Sequence, residues 1–186
     1  MHGIFAGKPF LTLAAVALAL TTSSVTQAAG RHDGQHGKGH ATKIGEPGNP
    51  AEATRSIEID MLDNSFTPTR LDIRKGETVR FILRNVGEAV HEFNIGTAQM
   101  HVAHRKEMLM MMENGVLEVD RVNHHRMKMD MGSGGPMVHD DPNSKLLEPG
   151  KSAEIVWKFN SDTKLEFACN VPGHYESGMK GDIRIR

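Results

Sequence analysis

The stretch "LEFACNVPGHYESGMKGDIRIR", residues Leu165–Arg186, decides how this chain is read. "LEFACN" has the composition of a strand, and "GDIRIR" closes the chain with Ile183 and Ile185 on alternate positions. Between them a loop carrying Pro172, Gly173 and Gly178 turns the chain back. That unit holds Cys169, His174 and Met179 at the spacing Cys-x4-His-x4-Met. Thiolate and thioether are soft donors that favour Cu(I), and imidazole accommodates Cu(II) as well. A trigonal His2Cys site with a weak axial Met is the blue-copper arrangement, so one more histidine is needed from elsewhere. His91 is the natural candidate, because it opens a strand directly after the turn in "NVGEAVHEFNI". Zinc fits less well: it rarely takes Met, and its structural sites usually hold more cysteines. A Cys-His nucleophile would leave Met179 without a role. Taken singly, a cysteine, a histidine and a methionine are ordinary packing or surface residues; their tight spacing in one strand-end loop sets these three apart.

Working outward, the same period-two alternation recurs. It runs through Ile57, Ile59 and Met61, then Leu71 and Ile73, then Val79, Phe81 and Leu83 in "TVRFILRN". "HEFNI" adds a short strand, and Ala153, Ile155, Trp157 and Phe159 alternate further on. "DNSFTP", "RKGE" and "VGEAV" punctuate these runs as breaks and turns. Short strands without strand–helix alternation predict an all-β sandwich over residues 56–186.

Residues 97–142 interrupt the pattern with nine of the chain's 12 methionines and five of its 11 histidines. Without them, 85 residues of 56–186 remain, the size of a compact sandwich. Ala98–Asn114 lacks Gly and Pro, with Thr97 as N-cap and Gly115 as stop, and predicts a helix; the rest reads as loop. On that helix His101, His104, Met108 and Met111 or Met112 share one face, with Met100 beside them. They form a candidate second copper site. His124, His125, Met127, Met129 and Met131 form a looser cluster behind. Methionine is also an adaptable core filler, so each of these thioethers has a packing role open to it.

The first residues read as an export signal. Lys8 precedes an apolar stretch from Phe10 to Leu20, and Thr26-Gln27-Ala28 offers a small-residue cleavage site, giving a signal peptide over residues 1–28. The apolar run is shorter than the ~20 residues that span a bilayer, so no membrane span is expected once the signal is removed. Residues 29–55 are rich in Gly, His and Pro and are expected to be flexible, either a weak metal-scavenging tail carrying His32, His36 and His40 or a plain solvated linker. The chain has 186 residues, with 22 Lys and Arg against 23 Asp and Glu, which argues against a nucleic-acid partner. One cysteine forms no internal disulfide, and outside the cytosol a lone thiol needs protection that a metal bond supplies.

These residues resemble the cupredoxins, the type 1 copper proteins. The likeness rests on "FTPTRLDIRKGETVRFILRN" with "HEFNI", and on "FACNVPGHYESGM" with "KGDIRIR". The Cys-x4-His-x4-Met loop is similar to that of rusticyanin and auracyanin, and the export signal with a Met/His-rich insertion resembles periplasmic copper-tolerance cupredoxins of the CopI type. The resemblance implies a Greek-key β-sandwich with a partly helical insertion and one type 1 copper. It makes His91, Cys169 and His174 the strong ligands and Met179 the axial one, with His174 nearest the surface. It implies a periplasmic protein of copper tolerance that binds, buffers or redox-cycles copper ions, with further copper in the insertion. An electron carrier serving a redox partner protein is the alternative, and cuprous oxidase activity a third. An enzyme is not expected, because Ala168 and Asn170 flank Cys169 where a multicopper oxidase needs His-Cys-His. Many cupredoxins carry Asn or Ser after the first His; here Glu92 stands there, and its ionised carboxylate can only accept hydrogen bonds.

Overall fold

The computed structural model describes residues 41–129 and 139–186. The expected signal peptide, the His32, His36 and His40 series, and Met131 lie outside the described residues. Two five-stranded sheets carry the domain, in the orders β1-β8-β5-β2-β3 and β4-β10-β9-β6-β7. The strands of the first are β1 (Glu46–Pro47), β2 (Arg55–Leu62), β3 (Ser65–Thr67), β5 (Thr78–Asn85) and β8 (Ser152–Lys158). The second holds β4 (Arg70–Ile73), β6 (His91–Gly96), β7 (Ser144–Leu147), β9 (Leu165–Ala168) and β10 (Lys180–Ile185). The pairs β2–β5 and β4–β10 are parallel and the others antiparallel, so the chain repeatedly crosses between sheets. The all-β sandwich expected from the alternation is what forms.

Alternate residues of both sheets meet in an aromatic core. Phe81 of β5 faces Phe93 of β6 at 5.5 Å between ring centroids. Phe66 of β3 stands edge-on to Phe167 of β9 at 5.2 Å. Offset and edge-to-face pairs of this kind add to the stabilisation from area burial. β3 sits within "DNSFTP", read from sequence as a break. It pairs Phe66 with Met61 and sends the ring fully inward. A three-residue edge strand is too short for its alternation to register.

Residues 41–55 correct the expectation of a flexible segment. Ala41–Ile44 form the short helix α1, and β1 pairs with β8 through Glu46↔Lys158 and Pro47↔Trp157. Ile44 is buried, and its carbonyl accepts the Trp157 indole N–H at 3.1 Å. Gly45 makes the approach possible: its φ is +117°, and a Cβ there would lie 2.4 Å from the Lys158 carbonyl oxygen. The Gly- and Pro-rich composition that suggested disorder supplies the turn that caps the tryptophan.

The insertion is a built part of the domain. Its helix α2 spans Ala98–Glu113, Thr97 Oγ1 accepts from the Met100 N–H at 3.2 Å, and Gly115 takes the left-handed conformation beyond its end, at φ +64°. A short helix α3 (His124–Met127) and a bridge between Leu117 and Val122 follow, where loop was expected. Met108, Met111, Val116, Leu117 and Val122 all join the hydrophobic core. Among the described residues no helix is long and apolar enough to cross a membrane.

Replacing Ile44 by Ala should lower unfolding stability by about 2–5 kcal/mol, the cost of emptying a core position. Urea denaturation of the full chain measures it. A change within about 0.5 kcal/mol, as at an ordinary surface position, would show that the 41–55 segment is not anchored.

Candidate metal centre

The site follows from strand alternation. Antiparallel pairing of β6 with β9 sets Asn94 opposite Ala168, and successive side chains point to opposite faces. His91, Phe93, Phe167 and Cys169 face the sandwich interior, while Glu92 and Asn170 face the insertion. His91 and Cys169 thus arrive at one end of the core from neighbouring strands, and the loop after β9 folds His174 back over them.

His91 Nδ1 lies 3.2 Å from His174 Nδ1, which lies 3.4 Å from Cys169 Sγ, and the three donor atoms fall within 4.8 Å of one another. An ion held at about 2.0–2.3 Å from nitrogen and sulfur donors requires them to be spaced in this range. Met179 is fully buried. Its N–H donates to the His174 carbonyl and its own carbonyl accepts from the Cys169 N–H, both at 3.0 Å. Cys169, His174 and Met179 are therefore tied into one loop structure, and β6 brings His91 beside it.

Asp63 was not singled out from sequence. It stands in the turn between β2 and β3, accepts the His91 Nε2–H at 2.9 Å, and is itself held by the backbone N–H groups of Glu88 and Ala89. The hydrogen bond from His91 holds the Asp63 carboxyl below its ordinary range. This contact fixes the tautomer and leaves the Nδ1 lone pair facing Cys169 and His174. Only "DN" at a turn marked the position, and nothing in the local pattern linked it to a histidine 28 residues on.

Glu92 ties the two ligand segments with reversed polarity. Its backbone N–H donates to Cys169 Sγ at 3.3 Å. Its carboxylate accepts from the Asn170 backbone N–H at 3.2 Å and from Asn170 Nδ2 at 2.8 Å. The carboxylate cannot donate, so the residue after the cysteine supplies the donors. Burial pushes the Cys169 thiol up to about 12, against which the Glu92 N–H pulls only weakly. Burial also lowers both imidazoles, with Asp63 partly restoring His91 and the neighbouring His91 lowering His174 further. Near neutral pH the two rings are uncharged donors and the thiol keeps its proton.

The insertion helix is fastened to the ligand loop. The Arg105 guanidinium lies 4.4 Å from the centroid of the Tyr175 ring and pairs with Glu176, while Lys180 Nζ covers the same ring at 4.5 Å. The Tyr175 hydroxyl donates to Glu166 at 2.7 Å. His101 is buried on the same face of α2, accepting from Asn170 Nδ2 at 3.2 Å.

Of the expected grouping His101, His104, Met108, Met111 and Met112, the three methionines serve packing. Met108 and Met111 are core residues and Met112 packs against them, taking the filler role open to methionine. His104 instead meets Glu92 and His139, and those three place one donor atom each within 4.8 Å. Burial alone would lower His104, but the Glu92 and Glu107 carboxylates outweigh it and raise it to about 10. Burial alone would likewise raise Glu92, yet the His104 charge and the hydrogen bonds from His104 and His139 hold it well below the carboxylate range. His124, His125, Met127 and Met129 are exposed or half-buried and enter no cluster of His, Cys, Asp or Glu donors among the described residues.

Two outcomes are expected. Asp63→Ala should weaken copper binding by about 10–100-fold, the usual loss when the partner of a ligating histidine is removed; a competition titration against a copper chelator reads it. The metal-free thiol, held near 12, should alkylate with iodoacetamide at a rate still climbing about tenfold per pH unit above pH 9. An ordinary thiol with a pKa near about 8.5 levels off there, and a plateau at that pH would contradict the burial.

Comparison with known proteins identifies the family. The cupredoxin-like domain family matches residues 12–124, a span that includes His91 and ends before the Cys169 loop. The copper-resistant cuproprotein CopI of Pseudomonas aeruginosa is 47% identical over 153 residues, covering 79% of this chain and 84% of its own. CopI of Rubrivivax gelatinosus is 35% identical over 179 residues, covering 94% of each chain. CopI of Vibrio cholerae is 31% identical over 156 residues, covering 83% and 79%. Among solved structures, auracyanin B superposes with a TM-score of 0.54 at 18% identity, over 77% of this chain and 96% of its own. The dithionite-reduced auracyanin of Roseiflexus castenholzii gives 0.50 at 21%, over 72% and 98%. These two likenesses concern the fold. With two face-packed sheets, a buried His-Cys-His cluster at one end and relatives matching most of its length, the chain belongs to the cupredoxin family, alongside the copper-resistant cuproproteins CopI.

Proposed function

We propose that this chain is an exported copper-tolerance protein that holds one copper ion between His91, Cys169 and His174, with Met179 as a fourth, weak donor. The observation that carries the reading is the convergence of those three donor atoms at spacings a single ion can bridge. The donor chemistry supports copper over zinc, since a lone thiolate beside a thioether and two imidazoles suits an ion cycling between soft and borderline states. Copper bound there supplies a one-electron couple.

The chain's own residues do the rest. Cys169 gives up its thiol proton when a metal takes its place, and the neutral imidazoles of His91 and His174 offer lone pairs without losing a proton. Asp63 orients His91, and the Glu92 N–H stabilises negative charge on the sulfur. His91, Cys169 and Met179 are sealed from solvent, while His174 is half-exposed. That ring edge is the route by which an electron, or copper itself, reaches the site. It is also the observation that favours the second reading, an electron carrier with a redox partner docking at His174. The sequence of residues 1–28 supports export to the periplasm. The reading is of a binding protein and not an enzyme.

The test is an optical spectrum with metal analysis of the copper-loaded protein, and the copper tolerance of cells lacking the chain when resupplied with it. Wild type should show intense visible absorption that Cys169→Ala abolishes, and Cys169→Ala should restore no tolerance. If absorption is lost but tolerance is fully restored, the centre serves electron transfer instead. Point substitution is the sound design here, because excising residues 97–142 would remove five core residues along with the insertion.

A further inference from the structure

A second donor cluster lies on the opposite face of β6, under the insertion. His104 Nε2 and His139 Nε2 stand 2.9 Å and 2.7 Å from Glu92 Oε1, and 3.2 Å from each other. An ion held about 2.0–2.1 Å from nitrogen and oxygen donors sets neighbouring donors about 2.8–3.4 Å apart, for angles between octahedral and tetrahedral. Two of the three spacings fall within that range, and the third, His139 Nε2 to Glu92 Oε1 at 2.7 Å, lies just below it. We propose that Glu92, His104 and His139 form a second metal site, separate from the Cys169 centre, for a divalent first-row transition ion and copper(II) above the others.

Two further observations point to a cation. The first is the crowding of Glu92 Oε1. Besides the two imidazoles it faces Ser144 Oγ at 2.6 Å and Asn94 Nδ2 at 3.3 Å. A carboxylate offers about four acceptor positions over its two oxygens, and the other oxygen already takes both Asn170 donors. Four neighbours on one oxygen exceed what it can accept. An ion bound by both imidazoles and by Oε1 replaces two of those donors with one bond and eases the crowding from four neighbours to three. The second is the support behind His104. Its Nδ1–H donates to Glu107 Oε2 at 2.8 Å, the carboxylate–histidine arrangement that frees the other ring nitrogen to ligate. Glu92 is fully buried, whereas His104 and His139 retain 13% and 5% of their side-chain exposure, so the ligands reach from the interior to a rim that solvent touches. Two imidazoles and one carboxylate bind divalent ions along the first row, with affinity rising to a maximum at copper.

This site does not depend on the reading of the Cys169 centre, and the test separates them. The full chain is equilibrated with copper(II) alone, and bound copper per chain is counted together with the electron paramagnetic resonance spectrum. His139→Ala should bind one equivalent fewer than wild type. The equivalent lost should carry the ordinary nitrogen- and oxygen-ligated copper(II) signal, while the Cys169-dependent visible band persists and certifies the fold. Cys169→Ala should lose the visible band and keep this equivalent. His104→Gln, which retains a hydrogen-bond donor for Glu92, is the second variant should His139→Ala lose the band. Equal copper counts in wild type and in the band-retaining variants would overturn the proposal.

Discussion

Everything at the functional end of this molecule depends on β6 being covered on both sides. All six of its residues are buried, which a strand in a two-layer sandwich reaches only if something packs on its outer face. The insertion is that covering layer. It allows Glu92 to stand fully buried where a two-layer sandwich would expose it to water. Such a charge is tolerated only with dense hydrogen bonding, and Asn170, Ser144, His104 and His139 provide it.

The arrangement also explains how a compact loop can be both anchored and accessible. Backbone bonds from Met179 to His174 and from Cys169 to Met179 close the loop on itself. Arg105 and Lys180, each against the Tyr175 ring, then fasten it to α2 and β10. Only His174 among the donors keeps contact with solvent. The protein frame, more than the ion, sets the donor spacing.

Much of this was legible from residue order, and the parts that were not share a physical reason. Alternation in Val79, Phe81 and Leu83 is local, so it announced β5 directly; Thr97 and Gly115 announced α2 for the same reason. The Cys169, His174 and Met179 grouping was legible because one loop carries all three. Asp63, Glu107 and His139 were not, because their partners are set by tertiary packing and each residue alone looks like any solvated polar side chain. The methionines of α2 illustrate the converse. Their helical spacing was read correctly, yet that spacing serves a core-packing face as well as a ligand face, and only the sheet beneath shows that Met108 and Met111 point into it. Residues 41–55 misled because glycine and proline mark tight turns as readily as disorder.

His91 and Glu92 are consecutive, and so are Cys169 and Asn170, yet each pair divides its chemistry between two sides of the same sheet. A strand repeats every two residues, so sliding β6 against β9 by a single position would exchange the faces wholesale. The carboxylate would meet the thiol and the imidazole would meet the helix, dismantling both clusters in one step. Insertions or deletions within His91–Gly96 are thus barred far more strictly than substitutions, and the hydrophobic anchors Phe93 and Ile95, which touch no candidate ligand role, are what hold the reading frame of the whole functional end.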